Sequence, residues 1–165
     1  MTRQAEASKK TKDKIVKVAR ELFIKKGYSE TSLQEILKAG EISKGNLYHH
    51  FKGKEFLYLY IIEQDYLQWE HQWKERESHC ENAIEKLYDL TNFSFQMNFN
   101  SPLIHVAEEF FASAFKSKEV IERILEIDSQ YSKVIRNILE EGNHDGSWSI
   151  SNLDLTTQIV SSLFY

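Results

Sequence analysis

Apolar residues recur at three- and four-residue steps along long tracts of the chain, and short polar breaks separate the tracts. That period predicts a succession of amphipathic helices. Between Lys12 and Lys26 the apolar positions are Ile15, Val18, Ala19, Leu22 and Phe23, with lysines and Arg20 on the opposite face; Gly27 follows as a natural stop. Thr31-Ser32-Leu33-Gln34-Glu35 offers two overlapping capping boxes, Thr31 to Gln34 and Ser32 to Glu35, for a short helix that Gly40 closes. Ser43 can cap a third helix running to about Phe51. Helix, short helix, glycine-containing turn and short helix make a helix-turn-helix unit on a supporting helix. Ile36, Ile42, Leu47 and Phe51 would form its small core with Leu22 and Phe23.

Past Lys54 the tracts lengthen. Glu55 to Glu77 reads as one helix and Asn82 to Phe95 as another, while Gln96 to Pro102 breaks the pattern with Asn, Ser and the lone proline. Leu103 to Phe115 resumes a helix. Lys118 to Glu141 carries apolar residues from Val120 to Leu139 and is expected to stop at Gly142. NHDGSW reads as a loop, and Leu153 opens a last apolar segment that runs to Tyr165. The predicted fold is all-α, with a three-helix unit over residues 1–54 and a helical body over 55–165.

Composition narrows the functional classes. One proline and six glycines suit long helices, and the single Cys80 excludes an intrachain disulfide framework and a cysteine metal cluster. No apolar run approaches membrane-spanning length, and the polar N-terminus lacks the apolar stretch of a signal peptide, so a cytoplasmic protein is expected. No glycine-rich phosphate loop, metal-ligand spacing or nucleophile motif argues for an enzyme. Adjacent His49 and His50 diverge by about 100° on a helix and do not readily chelate together. Neither metal nor cofactor is expected.

The charge is divided. Thirteen Lys/Arg against six Asp/Glu give residues 1–54 a net +7, and the remainder carries −11. A basic head on an acidic body suits a polyanion partner, although a solvated basic helix would give the same sum. The stretch ISKGNLYHHFKGK, 42–54, narrows this further, with three lysines, two histidines and no acid. A carboxylate on such a helix would repel a phosphate backbone, whereas Lys44, Asn46, Tyr48, His49 and His50 bond phosphates and base edges.

GYSETSLQEILKAGEISKGNLYHHFKGKEFLY resembles the signature of the TetR family of bacterial transcriptional regulators. Its parts are Gly27, the Thr31-Ser32 cap, the Ser43-Lys44-Gly45 turn, Leu47-Tyr48 and the His50-Phe51 to Lys54-Glu55 passage. The resemblance extends toward a multidrug-binding branch through the Gln72-Trp73 pair and the Glu141 to Ile150 stretch. It implies an N-terminal DNA-binding domain and a C-terminal ligand-binding and dimerisation domain, with the family's last helix or so lying beyond Tyr165. Homodimers would bind a palindromic double-stranded DNA operator and act as repressors released by a small-molecule inducer.

By position, Lys44 and Gly45 would approach base edges. Thr31, Ser32, Ser43, Asn46, Tyr48, His49, His50 and Lys54 would serve the phosphate backbone or groove. The implied pocket holds Trp69, Tyr131, Asp65 and Asp128; Phe110, Phe111 and the neighbouring Glu109 lie in the same body, and each of these rings reads equally as a plain core aromatic. Aromatic faces beside acids suit a cationic lipophilic inducer. The stretch 97–101 departs from that branch in lacking an acid and tyrosines. A non-cationic metabolite or fatty acyl inducer is the alternative, and a helical interaction protein without DNA binding is the remote one.

Overall fold

The computed structural model describes residues 3–99, 101–114 and 117–164. Eight α-helices follow in order among them: α1 Arg3–Lys26, α2 Leu33–Ala39, α3 Lys44–His50, α4 Lys54–Glu77, α5 Ala83–Phe99, α6 Ile104–Ala114, α7 Lys118–Asp145 and α8 Leu153–Ser161. A 3₁₀ turn, Ser162–Phe164, ends the series. No strand occurs among the described residues, as the helical period predicts.

Three boundaries differ from the sequence expectation. Helix α1 begins at Arg3 rather than near Lys12, because residues 3–11 are good helix formers whose lack of a buried face hides the period. Helix α5 continues to Phe99, into the stretch 96–102 where the sequence pattern predicts a break. Helix α7 runs past Gly142 to Asp145. The expected end of one helix at Phe115, and Asn100 and Tyr165, lie outside the described residues.

Two compact units form. The first comprises residues 1–64 and 102–121, and the second 65–101 and 122–165. The first thus takes in α6, which the sequence reading assigns to the C-terminal body.

The core of the first unit is aromatic. Phe23 of α1 meets Tyr58 of α4 edge-on at 5.2 Å between ring centroids, Tyr58 lies 4.7 Å from Phe110 of α6, and Tyr28 stacks on Phe23 at 5.7 Å. Ile15, Ala19, Ile36, Leu47, Leu57 and Ile61 are fully enclosed in the same unit. Large rings that bury 150–250 Å² each give this small unit much of its hydrophobic stabilisation. An exposed ion pair, Lys52 to Glu119 at 2.8 Å, joins the start of α7 to the segment before α4.

The second unit packs Trp69 and Trp73 of α4, Leu90 and Phe93 of α5, and Ile135, Ile138 and Leu139 of α7 around one core. Lys86 of α5 reaches Glu141 of α7 at 2.6 Å, and Arg76 of α4 forks onto Asp89 of α5 at 2.5 and 2.8 Å. After α7 the chain folds back: the Trp148 indole N–H donates to the Leu139 carbonyl at 2.7 Å, and Asn143 and Ile150 exchange two hydrogen bonds. Gly142 stands where the indole lands, and a Cβ there would lie 2.1 Å from the ring. That glycine is a packing residue within the helix.

Candidate nucleic-acid interface and aromatic cluster

Of the two capping boxes in the sequence, the chain uses the second. The Ser32 hydroxyl accepts from the Glu35 amide at 3.2 Å, and the Glu35 carboxylate accepts from the Ser32 amide at 2.9 Å. Lys26 pairs with the same carboxylate; these bonds, the Lys26 one foremost, hold the Glu35 pKa down to about 2. Gly40 ends α2, and a Cβ there would sit 2.4 Å from Ile42 Cδ1, so the bare backbone leaves room for the Ile42 side chain to turn inward. Glu41 carries the turn with φ 49°, in the left-handed region.

Ser43 then caps α3, accepting from the Asn46 amide at 3.2 Å. Leu47 is fully buried and Phe51 nearly so, which fixes the rotation of α3. That rotation turns Ser43, Lys44, Gly45, Asn46, Tyr48 and His49 outward, all exposed, with no acid among them. Beyond its chain neighbours and its own helix backbone, nothing lies within 4 Å of the Cβ position of Gly45, so its backbone stands open to approach. His50 is half-buried, and desolvation, then His49 and Lys12, push its pKa below the ordinary value. A neutral imidazole offers one donor and one acceptor.

Two expected contacts are redirected inward. Thr31 is fully buried, and its hydroxyl donates to the Gly27 carbonyl at 2.8 Å and to that of Leu22 at 3.3 Å. Lys54 donates to the carbonyls of Tyr28 at 2.8 Å, Thr31 at 2.9 Å and Ser29 at 3.4 Å, and stands 4.3 Å from the Tyr28 ring centroid. With its donors turned to the α1–α2 loop, its ammonium anchors that loop. Ser32 stays exposed, but its hydroxyl is committed to the cap.

The residues read as a pocket divide between the units. Trp69, Tyr66 and Tyr131 pack in the second, with Trp69 and Tyr131 centroids 4.4 Å apart and Tyr66 to Tyr131 at 4.8 Å. Phe93 stacks on Trp69 at 6.2 Å. Asp65 and Asp128 are half-buried in the same unit, and burial, followed by the charges of Tyr66 and Asp65, raises the Tyr131 pKa. Phe110 instead closes the core of the first unit, enclosed completely, and Phe111 beside it is 40 % exposed. Phe110 is therefore a core ring. Its neighbour Glu109 is also diverted: the carboxylate accepts from the Ser29 amide at 2.7 Å, which lowers its pKa.

The profile described as "QacR-like protein, C-terminal region" matches residues 65–165, and that of "Bacterial regulatory proteins, tetR family" matches residues 15–61. The HTH-type transcriptional regulator QacR of Staphylococcus aureus is 37 % identical over 151 residues, covering 92 % of this chain and 80 % of that protein. The chain belongs to the TetR family of bacterial regulatory proteins. It is a QacR-like transcriptional regulator of that family. The regulator UidR of Escherichia coli is 46 % identical over 55 residues, 33 % of this chain and 28 % of its own. The crystal structure of FadR from Bacillus subtilis in complex with stearoyl-CoA shares the fold of this TetR-family chain with a TM-score of 0.78. The identity is 22 %, over 92 % of this chain and 81 % of that one.

Sequence reasoning missed the anchors of the α1–α2 loop. The one local signal was Gly27-Tyr28, a left-handed glycine followed by a ring that turned out to be central to the core. It also passed over Arg3, Lys9 and Lys10, exposed on the extended start of α1, because nothing in the apolar pattern placed them on a helix.

Proposed function

We propose that this chain represses transcription as a homodimer, each subunit laying α3 in the major groove of a palindromic operator, and that a lipophilic cation releases it. The observation that carries the reading is the outward face of α3. Lys44, Asn46, Tyr48 and His49 project from a helix whose rotation is fixed by buried Leu47, and the face carries no acid. Lys44 and the open backbone at Gly45 approach base edges; Ser43, Tyr48, His49 and His50 serve the backbone or groove.

The inducer class rests on the second unit. Trp69 and Tyr131, 4.4 Å apart, offer ring faces to a delocalised cation, and Asp65 and Asp128 supply the neutralising charge. The rings already pack on one another, so a ligand enters by parting them, and the state with parted rings is the one with altered spacing between recognition helices.

Anisotropy of a labelled duplex from upstream of the gene tests both halves. Titration with protein reads DNA binding, and benzalkonium, a quaternary ammonium that does not intercalate, is then added. Release that Asp65→Asn and Asp128→Asn each weaken supports the cation. Tight binding that benzalkonium leaves intact, but that a long-chain acyl thioester reverses, replaces the cation with a fatty acyl inducer.

A further inference from the structure

The loop between α1 and α2, residues 27–32, is gripped by two opposite charges from other helices. Lys54 at the start of α4 collects its carbonyls, at Tyr28, Ser29 and Thr31. Glu109 of α6 takes its Ser29 amide at 2.7 Å from 80 residues away. Each of these loop groups would otherwise need a partner or water, and the chain supplies side chains instead. The fit on the Glu109 side is close. Gly27 adopts φ +85°, and a Cβ there would stand 2.5 Å from Glu109 Oε1. The glycine thus serves two needs at once, a left-handed turn and room for a carboxylate. The next residue of α6, Phe110, seats against Tyr28 of the same loop with 5.3 Å between centroids.

The loop leads directly into the Ser32 cap of α2, and both α2 and the helix that carries the outward face pack on α1. We propose that Glu109 is a positioning residue for operator binding, clasping the α1–α2 loop to α6 so that the helix-turn-helix is held at one setting. The proposal rests on the reading of α3 as a DNA-binding helix. The atom that matters is a carboxylate oxygen at the reach of a glutamate side chain. Gln in its place keeps an oxygen at that reach, Asp keeps the charge but falls short by one carbon, and Ala removes both.

The test uses the full chain and two duplexes, one from upstream of its gene and one of unrelated sequence. Glu109→Ala is expected to lose roughly tenfold in affinity for the upstream duplex, the scale of one charge-assisted hydrogen bond. Its salt-dependent binding to the unrelated duplex should stay within about twofold. Glu109→Gln should recover most of the loss. Amide hydrogen exchange at Ser29 should accelerate in E109A and not in E109Q.

E109A binding the upstream duplex as tightly as the parent would overturn the clasp, and so would an equal loss on both duplexes. If E109A does not fold, E109D is compared with E109Q, and an Asp variant as good as Gln overturns it. A parent protein that binds neither duplex defeats the DNA reading instead. Ser29 exchange still decides the clasp in that case: unchanged protection in E109A sinks it.

Discussion

Alanine for glycine inside a helix ordinarily stabilises by about 0.8–1.0 kcal/mol, because glycine costs more backbone entropy. Gly142→Ala is expected to do the reverse. A Cβ at 142 would stand 2.1 Å from Cε2 and Cζ2 of Trp148 and 2.6 Å from its Nε1. Ordinary carbon contacts are about 3.5–4.0 Å, so the indole must retreat by roughly 1.5 Å or leave. Leaving forfeits the Nε1 bond to the Leu139 carbonyl, about 1 kcal/mol, and the burial of part of a ring. For a half-buried indole, roughly 100 Å² at ~25 cal/mol per Å² adds about 2.5 kcal/mol.

Set against the propensity gain, the net loss is about 2.5 kcal/mol, or ~5–10 °C in Tm for a chain of this length. Urea denaturation at one fixed protein concentration measures it for G142A, W148A and the double variant. In the Trp148→Ala background the clash is gone, so Gly142→Ala should turn stabilising by up to about 1 kcal/mol. Additive effects, or a G142A protein more stable than the parent, would refute the packing argument.

Thr31→Val removes the buried hydroxyl from the Gly27 and Leu22 carbonyls at almost constant shape, so stability should fall by about 1–2 kcal/mol. The salt slope of DNA binding should stay unchanged in Thr31→Val and in Lys54→Met; a slope reduced by one in either returns that residue to the phosphate contacts. Glu35, held at about 2 against an ordinary 4.5, is depressed by folding, so its contribution is complete above pH 4.5 and fades as pH falls toward 2. The Tm gap between parent and Glu35→Gln should therefore shrink between pH 6 and pH 2.5, and a constant gap would contradict the assignment.

Most of the architecture was legible because it depends on local period and end signals. The apolar repeat from Val120 to Leu139 and the Ser43 cap locate their helices without knowledge of the rest of the fold. What was illegible depends on partners distant in the sequence or on sides of a helix that bury nothing. Gly142 reads as a stop because the indole that needs its bare backbone belongs to the following loop. The first turns of α1 have no buried face, hence no period to find.

The same distinction runs through the candidate site. The outward face of α3 follows from three-residue geometry around Leu47, so its exposed residues could be named in advance. Thr31 and Lys54 have the same side-chain chemistry as surface phosphate contacts. Only the path of the α1–α2 loop decides that they serve its carbonyls. Phe110 and Trp69 were likewise indistinguishable as aromatic residues on apolar faces. Their separation into different cores depends on α6 joining the first unit, and nothing in the sequence of α6 announces that.

The most direct measurement is the affinity of the full chain for the upstream duplex across a salt series, for the parent and for Lys44→Ala. A DNA-binding α3 predicts a linear fall of log K with log salt, its slope counting several phosphate contacts, and at least about a tenfold loss for K44A at every salt concentration. Affinity indifferent to salt, or a K44A protein indistinguishable from the parent, would contradict the assignment of α3 as the helix that reads DNA.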